Sequence, residues 1–265
     1  MTRNIFYCIV AVIGMSMLIP AKASSDRLTV VKVATVVKSN DRVNTENIQS
    51  NTGKPGWFIE LSRRSARECG AKLHFEFIPW VRALSFVEQS KIDAIFNSNY
   101  TAKRATYGVY PKIDGRLDVK RASMEYGYFA YVLRDSLDRE LVEQAILTNR
   151  NVVVERASSI IPELEKRGAN IQENVNYLSM LKMVAYHRAD AAIGIDKTFD
   201  TLLANTPGLS SIIMKVKTPI QLKFGYMMFS KTFYAAHPGL VECIWDKSAE
   251  NRQTDWFRKL YQSYQ

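Results

Sequence analysis

The sequence has few of the residues that metal and redox chemistry draws on: histidine and cysteine occur three times each. His74, His187 and His237 share no metal-ligand spacing, and Cys8, Cys69 and Cys243 include no Cys-x-x-Cys pair, which excludes a zinc ribbon and a thioredoxin-type motif. No Gly-x-Ser-x-Gly, phosphate-binding glycine loop or dinucleotide fingerprint occurs. The 36 Lys and Arg outnumber 26 Asp and Glu for a net charge of +10, yet there is no basic tail and no run of five. That pattern reads as a solvated basic surface and not as a nucleic-acid footprint. No cofactor, no metal and no nucleic-acid partner are expected.

Long apolar runs are also lacking, with one exception at the N-terminus. Arg3 precedes the apolar stretch Ile5–Ile19, and Pro20-Ala21-Lys22-Ala23 offers small residues at the −3 and −1 positions of a cut before Ser24. This is the three-part pattern of a secretory signal peptide over residues 1–23. The stretch is shorter than the roughly 20 residues that span a bilayer. Cys8 lies inside it without a preceding lipobox, which argues against a lipoprotein. The expected location is the periplasm, and the expected mature chain is a monomer. Loss of Arg3 and Lys22 lowers the charge by two, to +8. Cys69 and Cys243 are expected as buried free thiols, although an exporting compartment permits a disulfide.

Residues 24–265 suffice for one large domain or two small ones. Arg27–Val37 is rich in β-branched residues and reads as a strand, and the polar stretch Lys38–Lys54 as a loop. Gly56–Leu61 leads into a helix that stops at Gly70. Lys72–Ile78 alternates as a half-buried strand does, Pro79 breaks it, Val81–Glu88 is helical, and Ile92–Phe96 is a second strand. Strand, helix and strand in this order make a parallel βαβ unit. The second half repeats it with strand Asn151–Glu155, a helix ending at Gly168 and capped by Ser158 or Ser159, helix Tyr177–His187 and strand Ala191–Gly194. Lys91-Ile92-Asp93-Ala94 and Arg188-Ala189-Asp190-Ala191 occupy the same place in the two halves. Tyr126–Leu133 and Phe224–Phe229, aromatic and glycine-containing, read as strands that cross between lobes. The helices of Leu240–Tyr264 would then return to the first lobe, which would put Cys69 and Cys243 in the same lobe.

The order Gly56-Trp57-Phe58-Ile59-Glu60-Leu61, Ile78-Pro79-Trp80-Val81-Arg82-Ala83-Leu84, Lys91-Ile92-Asp93-Ala94 and Thr101-Ala102-Lys103-Arg104-Ala105 resembles the type II periplasmic solute-binding proteins of extracellular family 3. The Pro79-Trp80-x-Arg82 pattern resembles an orphan subgroup often found without an adjacent transporter. The resemblance implies an α/β fold of two lobes, each a mainly parallel sheet flanked by helices, joined by two crossing strands. Residues 24–130 and 222–265 would form lobe 1 and 131–221 lobe 2. It further implies capture of a small, carboxylate-bearing, amino-acid-like ligand in an interlobe cleft, for an ABC transporter permease or a membrane sensor.

The same resemblance maps a site. Arg104 would grip the ligand carboxylate, with Asn97, Ser98 and Asn99 from the preceding loop; a guanidinium presents parallel donors that suit a carboxylate. On residue chemistry alone, Asn97 and Asn99 equally suit a turn. Ser158 and above all Ser159 would add donors from the second lobe. Asp196 would receive the ligand's ammonium, but it lies one residue further from Asp190 than the family pattern has it. The first loop, Lys38–Asn51, has no aromatic residue to stack on a ligand, so Trp80, Trp57 or Tyr100 is expected as the apolar wall. Enzymes are rare in the family. A lytic transglycosylase would need a further lysozyme-like domain, while a cyclohexadienyl dehydratase would need only a proton donor, for which Glu60, Glu125 and Glu155 are available. The binding reading is the one expected to hold.

Overall fold

The computed structural model describes residues 28–36, 56–136 and 138–264. The expected leader and the stretch Lys38–Lys54 lie outside the described residues. β1 (Thr29–Val36) pairs in parallel with β2 (Ala71–Ile78) along their whole length and with β3 (Ala94–Asn99) on its other side. Between β1 and β2 runs α1 (Trp57–Glu68), which buries Ile59, Leu61 and Ala66; Trp57 already stands in the helix, one turn earlier than the sequence suggests. Gly70, with φ of 73°, ends it. Pro79 stands immediately before α2 (Trp80–Glu88), which carries the chain to β3.

Three short strands follow, β4 (Gly108–Val109) and the hairpin β5 (Lys112–Ile113) with β6 (Arg116–Leu117), before the long β7 (Met124–Leu133). The chain continues through α3 (Arg139–Gln144), β8 (Asn151–Glu155), α4 (Ile161–Lys166), β9 (Asn170–Asn174), α5 (Tyr177–Ala185), β10 (Ala191–Ile195), α6 (Asp196–Ala204), α7 (Pro207–Ser210) and β11 (Ile213–Lys215). β12 (Gln221–Ser230) then runs back towards β3, and α8 (Lys231–Ala236), α9 (Pro238–Asn251) and α10 (Asp255–Gln262) close the chain. The strands join in the order β2-β1-β3-β12-β7-β10-β8-β9, with β11 on β7 and β4 on β12. β8 pairs in parallel with β9 and β10, whereas β7 and β12 are antiparallel to each other and to their outer neighbours. β7 and β12, expected as strands that cross between lobes, stand at the centre of one continuous sheet, with a parallel group on each side. β9 has no counterpart in the sequence reading, because Asn170–Asn174 is polar and largely exposed at the sheet edge.

The short repeat has a structural cause. The carboxylate of Asp93 accepts the backbone N–H of Lys32 at 2.8 Å, and Asp93 N–H donates to Lys32 carbonyl at 3.0 Å. Asp190 makes the same pair with Asn151, at 2.7 and 2.8 Å. Each aspartate follows a helix whose end turns through a left-handed residue, Ser90 with φ of 56° and His187 with φ of 55°. Apolar residues pack on both faces of each half. On one side of the sheet Val33, Phe75, Phe229 and Trp245 meet, and on its other face Ala83, Ile95, Tyr226 and Met228; beyond β7, Val152 and Ile193 oppose Val153 and Leu181.

α9 packs along α1, and Cys69 and Cys243 are joined in a disulfide with their Cα atoms 6.0 Å apart. This corrects the expectation of free thiols: the return of the C-terminal helices places the two side chains together, and neither is deeply enough buried to behave as a core apolar group. The protein beginning at Ser24, unfolded without reductant, should therefore take up no thiol label and should take up two after reduction. Reduction should lower its stability in denaturant titrations by about 2–4 kcal/mol, because the bridge closes a long loop in the unfolded chain.

Candidate functional site

A cavity of about 290 Å³ opens at the carboxyl ends of the parallel strands. Thr35 reaches it from β1, Phe96, Asn97 and Asn99 from β3, Glu155 from β8 and Ile195 from β10. The first turns of α1, α2, α5 and α6 supply Trp57 and Phe58, Trp80, Tyr177 and Thr198, and the crossing strand β7 supplies Met124, Tyr126 and Tyr128. Strand ends and helix starts converge in this way wherever a parallel sheet binds a ligand in an open crevice, and the helix dipoles favour negative charge there.

Arg104 is buried, 4% exposed, in this wall. The Thr101 hydroxyl accepts the Arg104 N–H at 3.1 Å and so caps the single 3-10 turn that begins at Arg104, which is the physical content of the Thr-x-x-Arg spacing. Its guanidinium donates from Nη1 to the Asn99 carbonyl at 3.0 Å and from Nη2 to the Ala157 carbonyl at 2.9 Å, and it stacks 4.8 Å from the Trp80 ring. The Trp80 indole N–H donates to the same Ala157 carbonyl at 3.4 Å. Ala157 presents that carbonyl from a left-handed turn, φ 58°. Among the described residues no carboxylate lies within ion-pair distance of Arg104. Two of its five N–H donors are engaged by carbonyls, which leaves three for a ligand.

Asn99 ties the surrounding elements together. Its Oδ1 accepts from the Tyr126 hydroxyl at 2.5 Å and the Ser159 hydroxyl at 2.9 Å, and its Nδ2 donates to the Phe224 carbonyl at 2.9 Å. Ser158 donates to the Tyr128 hydroxyl at 3.2 Å. Neither serine caps α4, whose N-cap is Ile160, so the capping expectation is replaced by bonds across to β3 and β7. Lys223 of β12 donates to the Ser159 carbonyl at 2.5 Å; burial and the nearby Arg104 charge push its ammonium down to about 8. Asn97 adopts a left-handed conformation, φ 61°, where β3 carries one residue more than β12 between Tyr226 and Met228. That bulge turns Asn97 into the cavity over Gly225.

Seven of the ten expected residues therefore line one cavity: Arg104, Asn97, Asn99, Trp80, Trp57, Ser158 and Ser159. Three do not. Ser98 is fully buried on the opposite face, where its hydroxyl meets that of Tyr110 at 3.1 Å. Tyr100 packs edge-on against Tyr110. Asp196 opens α6 beside the lining residues Ile195 and Thr198, and its own side chain is not part of the wall. The acidic lining residue is Glu155, whose Oε1 accepts from the Tyr177 hydroxyl; burial pushes its carboxyl up to about 7, against the opposing effects of Tyr177 and Arg104. Tyr126, Tyr128 and Tyr177 also line the cavity but were not expected there, and Glu155 was named only as an available proton donor, because tyrosines in an apolar strand or at a helix start and a glutamate at a strand end carry no signal that separates them from core and surface residues.

No protein-family model and no curated sequence matches the chain. Solved structures do. A substrate-binding protein of an amino acid ABC transporter superposes with a TM-score of 0.67 at 14% identity, over 89% of this chain and 98% of that one. The α/β fold, a mixed sheet with flanking helices, is related to periplasmic-binding-protein-like structures. A histidine kinase sensor domain similar to periplasmic binding proteins gives a TM-score of 0.67 at 16% identity over 90% and 97% of the two chains. An ancestral amino-acid-binding protein, a precursor of cyclohexadienyl dehydratase, gives 0.63 at 16% over 89% and 94%. At these identities the likeness is one of fold.

Two expectations follow from the geometry. A Cβ on Gly225 would stand 1.7 Å from Asn97 Oδ1, so Gly225→Ala should cost about 1–3 kcal/mol in thermal or denaturant melts, and adding Asn97→Gly should recover part of it. Glu155 holds its proton more tightly folded than unfolded, so its contribution to stability is full below the ordinary value of 4.5 and is lost as pH rises through about 7. Wild type should lose stability relative to Glu155→Gln over that window, as melts from acid to neutral pH will show.

Proposed function

We propose that the chain is a periplasmic solute-binding protein that captures a small, carboxylate-bearing, amino-acid-like ligand and catalyses nothing. In this reading residues 1–23 are removed on export, residues 24–130 and 222–265 form lobe 1, and 131–221 form lobe 2. β7 and β12 act as the hinge by which the lobes close on the ligand. Arg104 carries the proposal: a guanidinium buried at the wall of a cavity, with no counter-ion among the described residues, is a site for an anion, since a buried charge needs a partner. Asn97 and Asn99 from lobe 1 and Ser158 and Ser159 from lobe 2 surround it, and Trp80 and Trp57 provide the apolar wall. At about 290 Å³ the cavity has the size of a small-molecule site and suits an amino-acid-sized ligand.

The fold is shared by a transporter's binding protein and a kinase sensor domain, so delivery to an ABC permease and to a membrane sensor both fit the site. The Pro79-Trp80-x-Arg82 pattern favours the orphan subgroup. Its Trp80 stacks on Arg104 and bonds Ala157, so it serves both sides of the cavity. A dehydratase reading is favoured by one observation, the cavity-facing carboxyl of Glu155, which could donate a proton. Incubation with prephenate or arogenate, followed by absorbance, should show no turnover.

The anchoring role is tested by calorimetric titration with whichever amino acid or organic acid raises the melting temperature most. Arg104→Ala should weaken binding about thirty-fold or more, the equivalent of roughly 2–5 kcal/mol, and Arg104→Lys should restore only part, because lysine keeps the charge without the fork. Unchanged affinity in a folded Arg104→Ala protein would remove the basis of this assignment.

A further inference from the structure

Glu155 is the only acidic side chain among the described residues that line the cavity. Tyr177, at the start of α5, donates to its Oε1, and no lysine, arginine or histidine forms an ion pair with it among the described residues. Its second oxygen has no protein donor there. Behind it, towards β10, a recess of about 10 Å³ lined by Ile193, Gly194 and Phe199 holds about one water, so any larger group must reach Glu155 from the main cavity.

The groups that face Glu155 are few. α5 contributes Tyr177, β7 contributes Tyr126 and Tyr128, and Arg104 acts from the turn after β3. Its partner on β9 is the neutral Asn174, and β10 with α6 presents Ile195 and Thr198. The surroundings are therefore three phenol rings, with Arg104 the one charge acting on the carboxyl. A carboxyl held away from water, with an oxygen that no described protein group donates to, is an environment that a cation satisfies and a second anion does not.

We propose that Glu155, positioned by Tyr177, determines the specificity of the site: it admits ligands that carry an amine or other cationic group besides the carboxylate held by Arg104, and it releases a proton as that group is seated. This rests on the reading of Arg104 as the carboxylate anchor. The residue that the family resemblance assigns to the ammonium, Asp196, is outside the wall, and Glu155 is inside it. In the absence of ligand, burial leaves the Glu155 carboxyl titrating at about 7, so near neutrality a fraction of it is protonated. When the cation arrives, the carboxyl O–H bond breaks, its proton passes to the buffer, the carboxylate pairs with the ligand, and the ligand's ammonium keeps its protons.

The test uses the chain from Ser24 with three sets of probes: the common L-amino acids, ω-amino acids such as 5-aminopentanoate, and the matching carboxylates without an amine. Wild type should bind a member of the amine-bearing sets more tightly than its amine-free counterpart, by tenfold or more. Its affinity should rise roughly tenfold between about pH 6 and about pH 8, as the carboxylate form of Glu155 becomes populated. Binding enthalpies near pH 7 should differ between phosphate and Tris buffers, which reports proton release on the unmodified protein even where a variant fails to fold. Glu155→Gln should lose the preference for the amine while keeping the carboxylate affinity, and Tyr177→Phe should move the pH profile upward. If Glu155→Gln binds amine-bearing probes as wild type does, or if enthalpies match in both buffers, the proposal is overturned while Arg104 keeps its role. If wild type prefers the amine-free carboxylates, the proposal alone falls. If no probe of any set binds, the solute-binding reading falls and takes this inference with it.

Discussion

Arg104 carries its charge into a buried position where, among the described residues, no carboxylate meets it, and the local structure is arranged around that fact. Removing a guanidinium from water costs several kcal/mol unless polar groups replace the solvent. Here the replacement is the Asn99 carbonyl on one side, the Ala157 carbonyl on the other and the Trp80 ring face against the plane. Carbonyl dipoles hold the cation without neutralising it. A carboxylate in their place would have stabilised the fold more and left nothing to attract an anion.

Those two carbonyls can face one cation only because the backbone departs from regular geometry at both places. Asn97 takes a left-handed conformation in the bulge of β3, two residues before Asn99, and Ala157 takes one in the turn after β8. Both require neighbours that tolerate them. Gly225, with no side chain, leaves room for Asn97, and the Ala157 N–H is held by the Glu173 carboxylate at 2.8 Å. Non-glycine residues in this region are uncommon and cost energy that the surroundings must offset; Asn97 lines the cavity, and Ala157 immediately precedes the lining residues Ser158 and Ser159.

The sequence made the architecture legible where a residue type has one mechanical use. Asp93 and Asp190 recur because each closes the same backbone ring between two parallel strands, and Thr101 precedes Arg104 by three because its hydroxyl caps that turn. The cavity was less legible. The bulge at Asn97 interrupts the alternation of β3, so that Phe96, Asn97 and Asn99 reach the cavity while Ser98 turns to the opposite face, and reading Asn97, Ser98 and Asn99 as one loop could not separate them. Ser158 and Ser159 match a helix cap in type and place, yet their hydroxyls are drawn to Tyr128 and Asn99. Glu155 and Tyr177 are 22 positions apart in the chain and meet only after β8 and α5 are placed side by side, a relation that no local pattern encodes.

The bonds that cross the cavity differ in kind from those that hold each side of it. The first half is fastened by apolar packing of Val33, Phe75, Phe229 and Trp245 and by the Cys69–Cys243 bridge between α1 and α9. Across the cavity the links between described residues are polar: Arg104 and Trp80 to the Ala157 carbonyl, and Ser159 to Asn99. The neutral links exchange with water for a net of about 0.5–1.5 kcal/mol and the one from the Arg104 guanidinium for about 1.5–3 kcal/mol, and water can replace each of them, whereas it cannot replace the burial of a large apolar side chain, worth about 1.5–3 kcal/mol. In the proposed two-lobed reading, this places the weak bonds where the molecule must part. In that reading β7 and β12 would bend with both cores intact, and the Ala157 carbonyl and Arg104 would separate until a ligand gave the guanidinium a stronger partner than the carbonyl it leaves.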